Sequence, residues 1–133
     1  MKRWMMAASF VLAGAGSALA GDPVAGVWQT APGDNGGWLH VQIAPCGRKI
    51  CGTIVKAFKK GGVPDPQYAH LGKPIIWDMK PEGEGYYADG RIWAPDRDKV
   101  YRSKMQLDGN RLTVKGCVMG GLLCRGQEWK RVQ

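Results

Sequence analysis

The sequence predicts an all-β fold: a small antiparallel up-and-down β-barrel of eight or nine short strands, stapled by two hairpin disulfides. Three observations predict it. Glycine and proline, 20 and 8 of 133 residues, are spread along the chain and divide it into short alternating runs, with no long segment of helical apolar spacing. Four cysteines fall in two close pairs, Cys46/Cys51 and Cys117/Cys124. Around each pair the alternation gives one apolar and one polar face, and so many strands in so short a chain must curl to hide their edges.

The first 20 residues read as a cleaved signal peptide. Lys2 and Arg3 form a positive start, an apolar run extends from Trp4 to about Ala15, and Ala18-Leu19-Ala20 ends in the small-x-small pattern of a cleavage site. That run is shorter than the ~20 residues a spanning helix needs. Residues 21–133 then form a single barrel domain in the periplasm, with secretion as the alternative. Without Lys2 and Arg3 the chain keeps 17 basic against 11 acidic side chains, a charge of about +6. This excess suits anionic lipid headgroups or polyanions and is equally compatible with plain solubility. Export argues against nucleic acid as a partner.

An oxidising compartment makes the cysteines structural. A zinc site is the rival reading, but the gaps are four and six residues, and neither a metal nor another cofactor is expected. Local pairing is the connectivity that agrees with the strand register. In the chain-entropy model each such short loop contributes roughly 2–2.5 kcal/mol.

The strands follow in order. Setting Cys46 opposite Cys51 brings Ile43 to Ile54 and Leu39 to Phe58 on one apolar face. From Lys59 to about Gly72 the chain is rich in Pro and Gly, which reads as a lid, a contact arm or a solvated loop. Asp89-Gly90 reads as a hairpin turn pairing Tyr87 with Ile92 and Tyr86 with Trp93. Asp108-Gly109 reads as another, pairing Leu107 with Asn110, Met105 with Leu112 and Ser103 with Val114. Setting Cys117 opposite Cys124 brings Leu112 to Trp129 and Val114 to Gln127. The other face then carries Arg102, Lys104, Lys115, Glu128 and Lys130, along with both cysteine pairs.

These residues resemble a family of exported bacterial proteins known as domain of unknown function 2147. The resemblance rests on Gly26-Val27-Trp28, Pro45-Cys46-Gly47, Cys51-Gly52-Thr53-Ile54-Val55, Gly72-Lys73-Pro74-Ile75 and Gly90-Arg91-Ile92-Trp93-Ala94-Pro95, continuing through Lys99-Val100-Tyr101, Gly116-Cys117 and Gln127-Glu128-Trp129-Lys130-Arg131. The chain departs from the family pattern where Ala94 stands for an Asp, and Asp98 and Val100 for a Gly and a Thr. The resemblance implies a lipocalin-like barrel and no established activity. Gly26-x-Trp28 and Arg131 also stand where lipocalins carry the first-strand Trp and last-strand Arg that stack to close the barrel. The plainer reading of that pair is an ordinary core Trp and a solvated Arg.

For function, the inward face mixes Tyr101, Ser103, Gln127 and Arg131 with Met105 and Trp129, while Trp93 falls near a strand end. These seven are the candidate ligand-binding residues, and Trp77 and Tyr86 are further aromatics for a mouth. Apolar walls with a few polar groups suit a small or amphiphilic ligand, unless side chains fill the interior. The alternative is an envelope interaction protein that contacts anionic polymers, lipids or a protein through its basic outer face. Catalysis is not expected. Past residue 20 the chain has one serine, Ser103, and two histidines, His40 and His70, without the spacing of a nucleophile–base motif.

Overall fold

The structure, a computed structural model, describes residues 21–133, so the signal peptide expected over residues 1–20 lies outside the described residues. Nine strands follow one another: β1 (Gly26–Gln29), β2 (Trp38–Cys46), β3 (Lys49–Lys59), β4 (Val63–Pro64), β5 (Pro74–Gly83), β6 (Tyr86–Ala94), β7 (Lys99–Asp108), β8 (Arg111–Val118) and β9 (Leu123–Arg131). Every pairing is antiparallel, and β1 pairs with both β2 and β9, which closes an eight-stranded barrel. The two-residue β4 lies outside the ring and pairs only with β3. Alternation sets the faces: on β7 and β8 Ser103, Met105, Leu112 and Val114 are buried inward, while Arg102 and Lys104 are exposed; Cys117, also buried, lies on the outer parity opposite Arg102.

Both disulfides form as expected, Cys46–Cys51 and Cys117–Cys124. Cys117 is opposite Cys124, and Leu112 and Val114 face Trp129 and Gln127, as the alternation requires. Three hairpin registers differ from the sequence-based expectation. In β7–β8, Asp108 pairs with Arg111 and Met105 with Val114, so the turn is Gly109-Asn110. Gly109, with φ 62°, takes the first central position that a left-handed turn demands. In β2–β3, Cys46 pairs with Lys49 around Gly47, whose φ is 65°, and the disulfide crosses the ladder diagonally to Cys51, opposite Ala44. Both slips are of two residues, and a shift of two by itself keeps each side chain on its face.

The third difference is larger. Asp89-Gly90 is not a turn; β6 runs through it, and the β5–β6 turn is Glu84-Gly85, with φ 56° and 82°. Asp89, φ 61°, is the extra residue of a bulge that lets Tyr87 and Ile92 face the same side despite their opposite parity. A second bulge, at Val55, moves Ala57 rather than Phe58 inward; Phe58 stacks on Trp38 instead, with ring centroids 5.8 Å apart. The stretch from Lys59 to Gly72 is not a free loop either. Its β4 lies against β3, Asp65 and Gly72 donate backbone hydrogen bonds to Ala57 and Ile54, and Tyr68 packs on the core.

One end of the barrel is filled. Trp28 is fully buried, and its indole N–H donates to the Val24 carbonyl at 2.9 Å. The Arg131 guanidinium stacks over the Trp28 ring at 4.4 Å and donates to the carbonyls of Ala25 (3.0 Å) and Pro23 (2.7 Å) and to Asn110 Oδ1 (3.1 Å). Trp28 and Arg131 are register partners across the closing seam. Gly26 is needed here: its φ is 144°, and a Cβ would lie 2.6 Å from the Gln133 carbonyl and 2.8 Å from the Arg131 guanidinium. Beside them the Tyr87 hydroxyl donates to Asp22 Oδ1 at 2.5 Å.

Arg131→Ala is expected to destabilise the barrel by about 2–3 kcal/mol, read as a fall in thermal midpoint of roughly 10 °C, because stacking and three hydrogen bonds go together. Arg131→Lys should recover less than half of the loss, since an ammonium cannot stack and reach all three acceptors. A second expectation concerns alkali. Burial first, then the hydrogen bond to Asp22 and its charge, raise the Tyr87 pKa well above the ordinary 10.0. The unfolded phenol ionises first, so the stability this residue contributes is complete below pH ~10 and is lost as the pH rises beyond it. Urea unfolding across that range should show a declining midpoint, with a shallower decline in Tyr87→Phe.

Candidate functional site

The opposite end of the barrel is open. The β1–β2, β3–β5, β6–β7 and β8–β9 connections surround a cavity of about 1050 Å³ that runs down to Ile75, Ile92, Val114 and Trp129. This volume is at the upper end of the range for small-molecule sites. The space exists because inward positions that carry Ile, Met or Trp lower in the barrel carry small or polar residues above. Ala57 and Gly116 line it, and on β9 Arg125 and Gln127 take inward positions beyond Trp129. Gly116 is informative. A Cβ there would meet Tyr101 at 3.6 Å and Ile92 at 3.7 Å, ordinary contact distances, and its φ is not left-handed. Nothing in the backbone requires glycine, so its consequence is room.

The wall has an apolar floor and a polar side. Trp129 Nε1–H donates to Gln127 Oε1 at 2.7 Å, which turns the Gln127 amide and fixes its orientation. Tyr101 and Arg125 line the same side, and Arg125 forms no ion pair among the described residues. Tyr68, from the folded-back connection, lines the cavity; burial first, then the carboxylates of Asp96 and Asp65, raise its pKa and keep its hydroxyl protonated. The rim is pinned by two hydrogen bonds. The Asp34 backbone N–H donates to Asp96 Oδ2 at 3.0 Å and the Trp93 indole N–H to Asp98 Oδ1 at 2.9 Å. The His70 ring meets Trp93 edge-on at 4.9 Å and buttresses it.

Of the seven candidate ligand-binding residues, Tyr101, Gln127, Trp129 and Trp93 line this cavity. Ser103 and Met105 do not: both are buried in the packed layer beneath it, and Ser103 Oγ has no hydrogen-bond partner. Arg131 lies at the filled end with Trp28. All three share the inward parity of Tyr101, Gln127 and Trp129, but parity gives a face and not a height along the strand. Trp77 sits mid-strand opposite Arg91, and Tyr86 is half-exposed near the β5–β6 turn, so neither is at the mouth. Tyr68, Trp38, Leu39 and Gly116 line the cavity without having been singled out. Gly116 carried a usable signal, a residue without a side chain at an inward position.

His40 is outside the cavity. It hydrogen-bonds Gln29 at 3.2 Å, and burial, followed by the nearby Lys56 charge, lowers its pKa and favours the neutral ring. Among the described residues no group of three or more His, Cys, Asp or Glu side chains is placed to hold a metal ion.

Residues 26–131 match the family model described as an uncharacterised protein conserved in bacteria, DUF2147. No curated protein matches the chain. Among solved structures, a Helicobacter pylori protein described as belonging to the lipocalin family superposes with a TM-score of 0.66 at 14% identity, covering 83% of each chain. At that identity the likeness concerns the fold: the barrel is lipocalin-like.

If the upper barrel is an unfilled space, Gly116→Leu should fold with a thermal midpoint within a few degrees of the parent. In a fully packed interior the same added side chain costs about 1–3 kcal/mol. Leu112→Ala, in the filled layer, should cost about 3 kcal/mol and serves as the contrast.

Proposed function

The chain belongs to the uncharacterised bacterial family DUF2147, and from that premise and the open cavity we propose that it is an exported carrier of a small amphiphilic ligand. The observation that carries this reading is the asymmetry of the interior, with one end packed around Trp28 and the other left open over an apolar floor. A hydrocarbon segment against Ile75, Ile92, Val114 and Trp129 loses its water, while a polar head remains beside Tyr101, Gln127 and Arg125 near the mouth. Arg125, in no ion pair among the described residues, favours an anionic or strongly accepting head beside it.

Two disulfides in a domain of this size suit an oxidising compartment, and the N-terminal sequence supplies the export signal that the periplasmic reading needs. Catalysis is not part of the proposal. The one serine past residue 20 is buried beneath the cavity, and all four cysteines are paired. A cavity with fixed walls and no nucleophile is suited to holding a molecule.

Native mass spectrometry of the protein purified gently from periplasm should show a discrete adduct, recovered by solvent extraction as one lipid or metabolite class. Gly116→Leu should lose that adduct while remaining folded. A clean ligand-free mass, with no uptake from a panel of fatty acids and lysolipids, would refute the carrier reading.

A further inference from the structure

The three most exposed large apolar side chains among the described residues are Leu122 (87%), Met119 (72%) and Leu123 (62%): the first two are in the turn that joins β8 to β9, and Leu123 is the first residue of β9. Val118, 42% exposed, stands at the base of the turn. Scattered exposed apolar residues are ordinary, but a contiguous group at one tip marks an interaction site. The tip is also held in shape. Met119, Gly120 and Gly121 have successive φ values of 55°, 70° and 94°, and the Cys117–Cys124 disulfide clamps the strands immediately below. A turn tethered at its base by a disulfide gives up less entropy on binding than an unclamped one.

Charge says what the tip meets. From Gly109 to Gln127 the sequence contains no acidic residue. Arg102 sits opposite Cys117 across β7–β8, Lys104 opposite Lys115, and Arg125 one residue beyond Cys124. None of these four is in an ion pair among the described residues, but Lys104 and Lys115 share a surface depression with Glu82 and Glu84, so Arg102 and Arg125 are the cations that stand directly behind the tip. On the rim, Asp96 accepts the Asp34 N–H and Asp98 the Trp93 indole N–H, and Asp34 and Asp65 also line the mouth, away from the β8–β9 turn in sequence. Apolar side chains at a narrow tip with unneutralised cations behind them are complementary to a bilayer interface, acyl chain at the tip and anionic headgroups around it.

We infer that the stapled β8–β9 turn docks the barrel on an anionic lipid surface, mouth first. Val118 and Leu123 line the cavity as well as the tip, so the docking element and the mouth are continuous. The inference rests on the carrier reading for its purpose. A mouth seated in the headgroup layer lets an amphiphile pass between bilayer and barrel without crossing water.

The test is flotation of the mature protein with phosphatidylcholine vesicles, with and without phosphatidylglycerol. The parent should float with the phosphatidylglycerol vesicles and lose binding as salt rises. Met119→Ser with Leu122→Ser, two changes at exposed positions, should lower that partition roughly tenfold or more with an unchanged thermal midpoint. Absence of flotation by the parent, or equal flotation by the double variant, would overturn the inference. So would sedimentation of the parent as a dimer that the double variant dissociates, since a second copy would then cover the tip. Uptake of a fluorescent fatty acid from solution separates the two proposals. The double variant should keep uptake and lose vesicles, and Gly116→Leu the reverse. Flotation without uptake by the parent would remove the carrier reading and leave the docking surface standing.

Discussion

The stacked pair of Trp28 and Arg131 is the contact on which the rest of the barrel depends. An eight-stranded sheet closes only if its first and last strands meet, and here the seam is short: β1 contributes four residues, and two register pairs join it to β9. So small a ladder is a weak lock by itself. The Arg131 side chain reinforces it by reaching the first strand, the segment before it and the β7–β8 turn together. The absence of a side chain at Gly26 lets these groups approach. Closure in turn removes the edges that would otherwise present unpaired backbone groups to other chains.

Filling one end tightly permits the other to stay empty. The lower layers hold Trp28, Met79, Tyr87, Met105 and Leu112, each almost fully buried, and these supply the apolar burial that a small domain needs. Across β6, β7 and β8, Gly90, Ser103 and Gly116 form a row of small side chains. Gly90 lets the Met79 sulfur pack over it, since a Cβ there would lie 2.7 Å from that sulfur. The cavity opens from this row, lined by Gly116 and floored by Val114 and Trp129.

The disulfides divide between the two ends. Cys46–Cys51 fastens the β2–β3 turn at the filled end, and Cys117–Cys124 fastens β8–β9 at the open one. At the open end the strand tips lack a packed core beneath them, so a covalent clamp and the rim hydrogen bonds of Asp96 and Asp98 do the work that packing does below. The exposed apolar turn sits above that clamp, at the place where the chain would otherwise be least constrained.

The sequence alone determined which residues face inward on most strands, which cysteines pair, and that the strands form a closed meander. Those properties follow from a period of two and from short-range spacing, both local. Even where the Cys46 and Asp108 hairpins slipped, the slip was two residues, and the faces survived. Tertiary structure decided the rest. Whether Asp89-Gly90 turns or bulges depends on the longer pairing of β6 with β7, and the Val55 bulge that replaces Phe58 by Ala57 on the inner face arises the same way. Height along the barrel was decided there too: Tyr101 and Ser103 share a face, but only Tyr101 reaches the cavity. Alternation records the side of a sheet, whereas depth depends on how far each strand is staggered against its neighbours, and that stagger is fixed only when the ring closes.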